Sequence, residues 1–297
     1  MRKVTAWSLD SAAMVILSFV AFGLMLAAGV AAASDPRFTT IDVPDAISTV
    51  AQDINSEGDI VGLYTDGGNK MHGFLLANGN FNSIDFPGST MTHAYGVNSR
   101  VDIVGEYRDV ANNWHGFLLR DGAFTSIDFP GATRTDAYGI SPKGMIAGTY
   151  NDADGKTHAY LLNKHGEFVT LDPPFSFETG MVHSVNSNGV AAGCWWDAAG
   201  MMHSLLVRDG EYITNDFPDS KMSMNWRINS EGWMVGQYTD LNNKTHGYQA
   251  KGSRKYTTID FPDAVFTEAH GINDSKEIVG RYKDAGNKIH GFVLSTQ

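Results

Sequence analysis

Short apolar runs alternate with polar turns along most of the chain, and one pattern of this kind recurs six times at a nearly constant period. Each copy opens with an aromatic residue and has an Asp four positions later, with successive copies 43, 43, 44, 44 and 44 residues apart. A period of about 40 to 50 residues is typical of propellers and solenoids. The copies begin at Phe38, Phe81, Phe124, Phe168, Tyr212 and Tyr256.

Four short strands are predicted in each copy, because runs rich in β-branched and aromatic residues are bounded by Gly, Asn, Asp and Pro. In the second copy these strands are residues 93–98, 102–109, 114–119 and 123–129. The three links between them are short enough for hairpins, whereas the link to the next copy is longer and begins with Pro-Gly. The pattern therefore predicts a four-stranded antiparallel meander that steps to the next copy.

The ends of the chain indicate how the copies close. Residues 38–42 match the fourth strand of a copy, but no first, second or third strand precedes them. Residues 290–294 match a third strand, so the last copy lacks its fourth. Pairing these two strands would remove both open edges. We therefore predict an all-β, six-bladed β-propeller with four-stranded antiparallel blades, in a single domain over 34–297. A parallel β-helix is the competing fold, although its coils are shorter.

Residues 1–33 have the features of a signal peptide: a basic start at Arg2 and Lys3, an apolar run over 12–30, and small residues before Ser34. An uncleaved membrane anchor is the alternative, since the apolar run is nearly long enough to span a bilayer. We expect cleavage and a secreted, extracellular or periplasmic protein. Cys194 is the one cysteine, so no intrachain disulfide can form, and a free thiol remains.

The repeat resembles the HAF-type extracellular repeat proteins of bacteria, which are named for a His-Ala/Gly-Phe motif. The segment from Ile272-Asn273 to Gly280 also matches the family's second element. The resemblance covers the chain after the signal peptide, and it implies export and a repeated β-architecture but no defined activity and no catalytic residues. The motif stands at His72-Gly73-Phe74, His115-Gly116-Phe117, His158-Ala159-Tyr160, His203-Ser204-Leu205, His246-Gly247-Tyr248 and His290-Gly291-Phe292.

Charge and composition limit the partners. The formal net charge is −11, and both nucleic acid and anionic membrane surfaces require a basic face. We therefore expect no nucleic acid, no membrane contact after signal cleavage and no cofactor. The expected partner of this monomer is a small polar ligand, a glycan or a protein.

The six repeated histidines first suggest a ring of metal ligands. They lie on the third strand from the axis, however, where equivalent positions of different blades are too far apart to share a zinc ion. Each follows an Asp by six positions, as His72 follows Asp66, and we expect that Asp to cap the hairpin turn or accept from the imidazole. The Asp of each Asp-Phe-Pro stretch is expected to bond the turn backbone. The turn 151–155 resembles a calcium loop but lacks the distal Glu, which favours a plain turn.

The copies diverge most on the strand nearest the axis, where side chains from different blades converge. Two functions from different classes fit these residues: a non-enzymatic binding module, or a hydrolase or lyase that uses His93, Asp136, His183, Glu268 and His270, with or without the help of a divalent metal. A solvated channel mouth that tolerates variation is the third interpretation. The candidate ligand-binding residues are Gln52, His93, Tyr95, Asp136, Tyr138, His183, Trp226, Arg227, Glu268 and His270.

Overall fold

The structure is a computed structural model that describes residues 37–174, 180–252 and 254–295. The predicted signal peptide, residues 1–33, lies outside this range. Across the described residues the chain forms 24 β-strands, numbered β1 to β24 in chain order. In this part of the protein no helix has the length and apolar character needed to cross a membrane.

The strands fall into four roles that repeat along the chain, from the axis outwards. The first strands are β2 (Ser48–Ile54), β6 (Met91–Val97), β10 (Arg134–Ile140), β14 (Gly180–Val185), β18 (Met222–Ile228) and β22 (Phe266–Ile272). The second strands are β3 (Ile60–Thr65), β7 (Ile103–Arg108), β11 (Ile146–Asn151), β15 (Ala191–Trp196), β19 (Trp233–Thr239) and β23 (Ile278–Lys283). The third strands are β4 (Met71–Ala77), β8 (Trp114–Arg120), β12 (Thr157–Leu162), β16 (Met202–Arg208), β20 (Thr245–Lys251) and β24 (Ile289–Ser295). The fourth strands are β5 (Asn80–Ile84), β9 (Ala123–Ile127), β13 (Phe168–Thr170), β17 (Glu211–Thr214), β21 (Lys255–Ile259) and β1 (Arg37–Ile41).

Neighbouring strands within each meander pair in antiparallel fashion, as the sequence predicts. The four strands predicted in the second copy are present, with ends that differ by no more than two residues. The seam also forms as predicted: β1 pairs with β24, and Thr40 lies opposite Phe292. The N-terminal strand therefore completes the meander that begins at β22.

The prediction of six separate sheets is wrong in one respect. Among the described residues, hydrogen bonding gives four four-stranded sheets and one eight-stranded sheet. The eight-stranded sheet contains both β6–β9 and β10–β13, joined by one parallel residue pair, Arg134 with Trp114. The two meanders merge into one sheet at this single point, because Arg134 at the start of β10 lies beside Trp114 at the start of β8.

The sheets surround a central axis in the manner of a β-propeller. Each first strand contacts the first strands on either side, and β22 contacts β2, so the innermost strands close on themselves. Each second strand also contacts the first strand of the next meander, as β3 contacts β6. We call the side of the ring at the C-terminal ends of the first strands the turn face. The side at their N-terminal ends is the opposite face.

The apolar core lies between adjacent sheets. Ile84 comes from the sheet of β2–β5 and packs with Ile103 and Phe117 of the next meander. Glycine on the second strand makes room for this packing: a Cβ on Gly105 would lie 1.9 Å from the carbonyl oxygen of His93 and 2.7 Å from the ring of Phe117. Equivalent close contacts occur at Gly62, Gly148, Gly193, Gly236 and Gly280.

The longer links between meanders are fixed by two contacts that recur. The hydroxyl of Thr92 accepts a hydrogen bond of 3.0 Å from the backbone N–H of Phe86. The ring of Phe86 then stacks on Tyr107 of the following second strand at 3.6 Å. The same stack recurs for Phe129 with Tyr150, Phe217 with Tyr238, and Phe261 with Tyr282.

Candidate functional site

A β-bulge interrupts each first strand at the same position. In β6 the pairing with β7 shifts between Ala94 and Gly96, so Tyr95 is the extra residue. A bulge re-aims a side chain and bends the strand. The bulged residues are Gln52, Tyr95, Tyr138, His183, Trp226 and His270.

Five of these bulged residues carry rings, and the rings touch in sequence around the axis. Centroid distances are 5.1 Å from Tyr95 to Tyr138, 5.3 Å from Tyr138 to His183, 4.5 Å from His183 to Trp226 and 5.1 Å from Trp226 to His270. We call these five residues the axial ring cluster. Tyr95, Tyr138 and Trp226 are half-buried, whereas both histidines are buried. The ring faces therefore offer a stacking surface close to the axis.

Arg227 closes the axis on the turn-face side of the ring cluster. Its guanidinium donates to the carbonyl oxygens of His183 at 2.7 Å and Tyr138 at 2.8 Å, and also to that of Tyr95. Its Nε lies 3.2 Å from Oδ1 of Asp53, whose other oxygen accepts from the N–H of Val97 at 3.0 Å. Burial raises the pKa of Asp53 against the opposing charge of Arg227. One side chain thus ties four first strands other than its own to one point.

A second group of polar residues lies on the opposite-face side of the ring cluster, and we call His93, Glu106, Arg134 and Asp136 the acid cluster. Nδ1 of His93 lies 2.8 Å from Oε1 of Glu106, and the hydroxyl of Tyr95 donates to the same oxygen at 2.8 Å. Arg134 donates to Asp136 and to Glu106, each at 2.8 Å. Among the described residues, the buried Nε2 of His93 has no hydrogen-bond partner.

The two carboxyl groups of the acid cluster have opposite pKa shifts. Burial and the adjacent Glu106 carboxylate raise the pKa of Asp136 to about 8, although Arg134 opposes the shift. Burial also acts on Glu106, but its hydrogen bonds to His93 and Asp136 outweigh it and bring its pKa to about 2. At neutral pH the cluster therefore holds one protonated and one ionised carboxyl group, both bound to one guanidinium.

A smaller carboxylate site lies across the axis on β22 and β23. Arg281 donates to Glu268 at 2.7 Å and 3.0 Å, and Nε2 of His270 lies 3.1 Å from the same carboxylate. Burial acts to raise the pKa of Glu268, but these partners lower it to about 2.

Burial lowers the pKa of His183 to about 4, so its imidazole is neutral at physiological pH.

On the turn face the axis opens into a depression of 90 Å³ with Arg227 and Asp53 in its lining. Asparagine side chains link neighbouring meanders around it. Asn229 donates to the carbonyl of Asn273 at 3.0 Å, and Asn273 donates to that of Asn55 at 3.1 Å. The sequence shows these asparagines only as repeat landmarks, and the structure assigns them this linking role.

The repeated histidines lie far from the axis and are held by two aspartates each. His72 has Nδ1 2.7 Å from Asp85 and Nε2 3.3 Å from Asp66, and its ring stacks on Tyr64 at 5.1 Å. Asp66 also accepts from the turn N–H groups of Gly68 and Lys70 at 2.8 Å. The predicted role of Asp66 is confirmed, whereas the expectation for the Asp-Phe-Pro aspartate is wrong, since Asp85 bonds the imidazole.

Two further sequence expectations concern cation and thiol chemistry. The turn 151–155 is a hairpin in which Asp152 accepts from the N–H groups of Asp154 and Lys156 at 2.9 Å. Cys194 is fully buried, and burial raises the pKa of its thiol, which keeps it protonated. No cluster of three or more His, Cys, Asp or Glu side chains in the described part of the chain has the geometry of a metal site.

The ten predicted site residues all lie around the axis, but in separate layers. Arg227 forms the floor of the turn-face depression, and the others lie in or beside the ring cluster, most of them buried. Sequence reasoning missed Glu106, Arg134 and Arg281, which are partners of the predicted residues. Glu106 lies directly opposite His93, and Arg281 opposite Glu268. The available signal was the divergence of this second-strand position, which holds Leu63, Glu106, Thr149, Cys194, Gln237 and Arg281.

Comparison with known proteins supports the fold. No family model and no curated protein matches the sequence. The solved structure of AofleA from Arthrobotrys oligospora matches with a TM-score of 0.55 and 12% identity, over 87% of this chain and 86% of that one. A fucose-specific lectin from Aleuria aurantia matches with a TM-score of 0.52 and 10% identity, over 87% and 98%. A protein described as TolB from Agrobacterium tumefaciens matches with a TM-score of 0.55 and 12% identity, over 80% and 79%. At these identities the likeness establishes the all-β propeller fold alone.

Proposed function

We propose that this protein is an exported, non-enzymatic binding module that takes a polar ligand, a glycan, at the opposite-face end of its axis. The single observation that carries the proposal is the axial ring cluster with polar groups beside it. Half-buried Tyr95, Tyr138 and Trp226 offer ring faces, and the acid cluster adjoins them with an unpartnered imidazole nitrogen on His93. Aromatic faces with a few convergent polar groups are typical of ligand sites.

A sugar fits this chemistry because it has both an apolar and a polar side. Its C–H face can stack on an aromatic ring, while its hydroxyl groups can donate to carboxylates and accept from guanidinium groups. Arg134 and Arg281 are suited to the second role, since their side chains are 35% and 33% exposed and each is held by a buried carboxylate. The fucose-specific lectin among the structural neighbours makes a glycan the first ligand class to test.

The ring that presents this site is proposed to have six blades. On this proposal the eight-stranded sheet acts as two blades, because one residue pair is all that joins its halves. The second strand β7 contacts the first strand β10, as in the other meanders. Arg134 also belongs to the acid cluster, so the bridge that merges the two sheets lies beside the proposed ligand.

Calorimetric titration of the purified protein with a glycan panel tests the proposal. We expect saturable binding by the wild type and a roughly fivefold weaker affinity in Trp226→Leu, since a stacked ring contributes on the order of 1 kcal/mol. Trp233→Leu is the matched control, because Trp233 lies at the turn face. Equal affinity in Trp226→Leu and the wild type would contradict the proposed site.

The second candidate function is a propeller hydrolase or lyase. The observation that favours it is the split between Asp136, with a pKa of about 8, and Glu106, with a pKa of about 2. A protonated acid beside an ionised carboxylate is the arrangement that acid–base catalysis uses. In this hypothesis Asp136 is the general acid. The other residues predicted from the sequence, which would surround the reacting group, are His93, His183, Glu268 and His270. Turnover of a glycoside, lactone or ester that is abolished in Asp136→Asn would select this function over binding alone.

Export, processing and family membership are part of the same proposal. We expect the mature protein to begin at Ser34, to be a monomer, to belong with the HAF-type repeat proteins, and to bind neither nucleic acid nor membranes. Intact mass and N-terminal sequencing of protein recovered outside the cytoplasm test the cleavage. A mass that retains residues 1–33 would favour the membrane-anchor alternative.

A further inference from the structure

A groove on the turn face differs in chemistry from the axial site. It lies between the β6–β9 and β10–β13 strands and has a volume of 550 Å³, within the range of about 300–1,000 Å³ typical of small-molecule sites. Leu118, Ile127 and Phe168 contribute apolar surface to its lining. Four cationic residues also line it, namely Arg100, Arg120, Lys143 and Lys164.

Two of these cations are held in place by one buried carboxylate. Asp102 is 3% exposed and accepts from Nη2 of Arg100 at 2.7 Å and from Nε of Arg120 at 2.9 Å. Because one carboxylate balances only one of the two guanidinium groups, a positive charge remains in excess. The pair is also preorganised, which reduces the entropy lost when an anion binds.

The side chains of Arg100 and Arg120 are 53% and 46% exposed, so both guanidinium groups remain accessible beside the neighbouring turn. That turn contains Gly144, and a Cβ there would lie 3.3 Å from Nη2 of Arg100 and 3.9 Å from Nη2 of Arg120. Lys143 beside it is exposed, as is Lys164 on the next turn. Asp128 is the carboxylate in the lining, and its Oδ1 lies 2.7 Å from Nδ1 of His115. The groove is therefore positive in a chain whose net charge is −11.

The corresponding groove between β14–β17 and β18–β21 has the opposite character. Its volume is 320 Å³, and it keeps an arginine, Arg208, at the position of Arg120. Asn188 stands where the first groove has Arg100, and Glu231 stands where it has Lys143. The cationic rim therefore comes from side chains particular to one pair of meanders and not from the repeat.

We propose that the cationic groove binds an organic anion that carries a carboxylate on a body with an apolar face. The carboxylate would lie against Arg100, Arg120 and the two lysines, because planar guanidinium groups pair with carboxylates through two hydrogen bonds. The apolar face would cover Leu118 and Phe168. A uronate oligosaccharide and an aromatic carboxylate share this chemistry. The site is separate from the axial ring cluster and does not depend on the function proposed for it.

Calorimetric titration of the full mature protein with trigalacturonate and with naphthalene-2-carboxylate tests the inference and distinguishes the two sources. We expect at least one of them to bind roughly tenfold more tightly than its neutral counterpart, the methyl ester or the carboxamide, and to weaken as salt rises. Lys143→Glu with Lys164→Glu should remove this binding. Lys143→Gln with Lys164→Gln should weaken it by a smaller factor and provides a second variant with little risk to folding.

The matched control is Lys221→Glu with Lys244→Glu, which makes the same change in net charge at two exposed lysines of the opposite face. Its affinity should equal that of the wild type. Equal binding of anions and neutral counterparts would overturn the inference. Equal losses in the two Lys→Glu double variants would also overturn it, since the effect would then be one of overall charge.

Discussion

The outer hairpins and the axis of this propeller are built in opposite ways. Each outer hairpin repeats one set of contacts: a histidine bound by two aspartates and stacked on a Tyr or Trp ring. At the axis no two meanders contribute the same set of contacts. One side chain there, Arg227, contacts the first strands of four other meanders. A repeated contact can be lost in one copy with little effect on the rest. A contact present once has no replacement, which makes the axis the place where single substitutions should matter most.

The largest effect should follow the loss of Arg227. In Arg227→Ala the buried Asp53 carboxylate keeps no counter-ion, and three carbonyl oxygens lose their donor. Removing one partner of a buried ion pair costs about 3–5 kcal/mol, so we expect the free energy of unfolding to fall by that amount in chemical denaturation.

A double variant separates the buried charge from the packing. Arg227→Gly with Asp53→Gly restores the glycine found at Gly96, Gly139 and Gly271, and it leaves no unpaired charge. We expect it to be more stable than Arg227→Ala. If the free energy of unfolding of Arg227→Ala lies within about 1 kcal/mol of the wild-type value, the axis is no more sensitive to substitution than the hairpins.

The next effect concerns pH and the acid cluster. Asp136 has a folded-state pKa of about 8 against an ordinary value of 3.8, so the folded protein holds a proton that the unfolded chain has released. The stability this proton contributes is complete below pH 3.8 and is lost as pH rises towards 8. Between pH 5 and 7 we expect the wild type to lose about 1.4 kcal/mol per pH unit relative to Asp136→Asn. Parallel pH profiles for the two proteins would show that Asp136 is ionised in the folded state.

A single outer hairpin should matter less. His115→Ala removes a partly exposed 2.7 Å contact with Asp128 and a stack on the buried ring of Tyr107. We expect a loss of about 1 kcal/mol in denaturation, and no change in the affinity of the axial site for a glycan. The same change at His246 should add to it within about 0.5 kcal/mol, because the two hairpins are far apart. Strong non-additivity would mean that the repeats are coupled through the ring.

The smallest effect is the titration of one hairpin histidine. Burial acts to lower the pKa of His158, but its contacts with Asp172 and Asp152 outweigh it and raise the pKa above 6.5. The stabilisation is therefore complete below pH 6.5 and is lost as pH rises through the folded-state pKa. Nuclear magnetic resonance should give a midpoint above 6.5 in the wild type and a lower midpoint in Asp172→Asn. An unchanged midpoint would assign the shift to another group.

Much of the fold is predictable from the sequence because each strand and turn is specified locally. The period, the turn residues and the spare strand at residues 38–42 predict the meanders and the β1–β24 seam. The merging of two sheets is not predictable in this way. It depends on the backbone of Arg134 meeting that of Trp114 in a neighbouring meander, and no local pattern reports such an approach.

The candidate site was predictable in position but not in chemistry. Divergence on the first strand places His93, Asp136 and Glu268 near the axis, and the structure brings them there. Their protonation depends on partners from the second strand, such as Glu106, and on burial that only the closed ring provides. The bulges at Tyr95 and its equivalents also depend on the paired strand, which is why the contact between the five rings could not be inferred from spacing.

The β1–β24 seam has a consequence for the order of folding. Every other meander can assemble from neighbouring residues, but Arg37 must find Ser295 across nearly the whole chain. The entropic cost of closing so long a loop exceeds that of closing a loop of some thirty residues, about the span of one meander, by about 2 kcal/mol. We therefore expect the pairing of β1 with β24 to be the last and slowest step of assembly. The same strand should detach first in native-state hydrogen exchange, long before the circle as a whole comes apart.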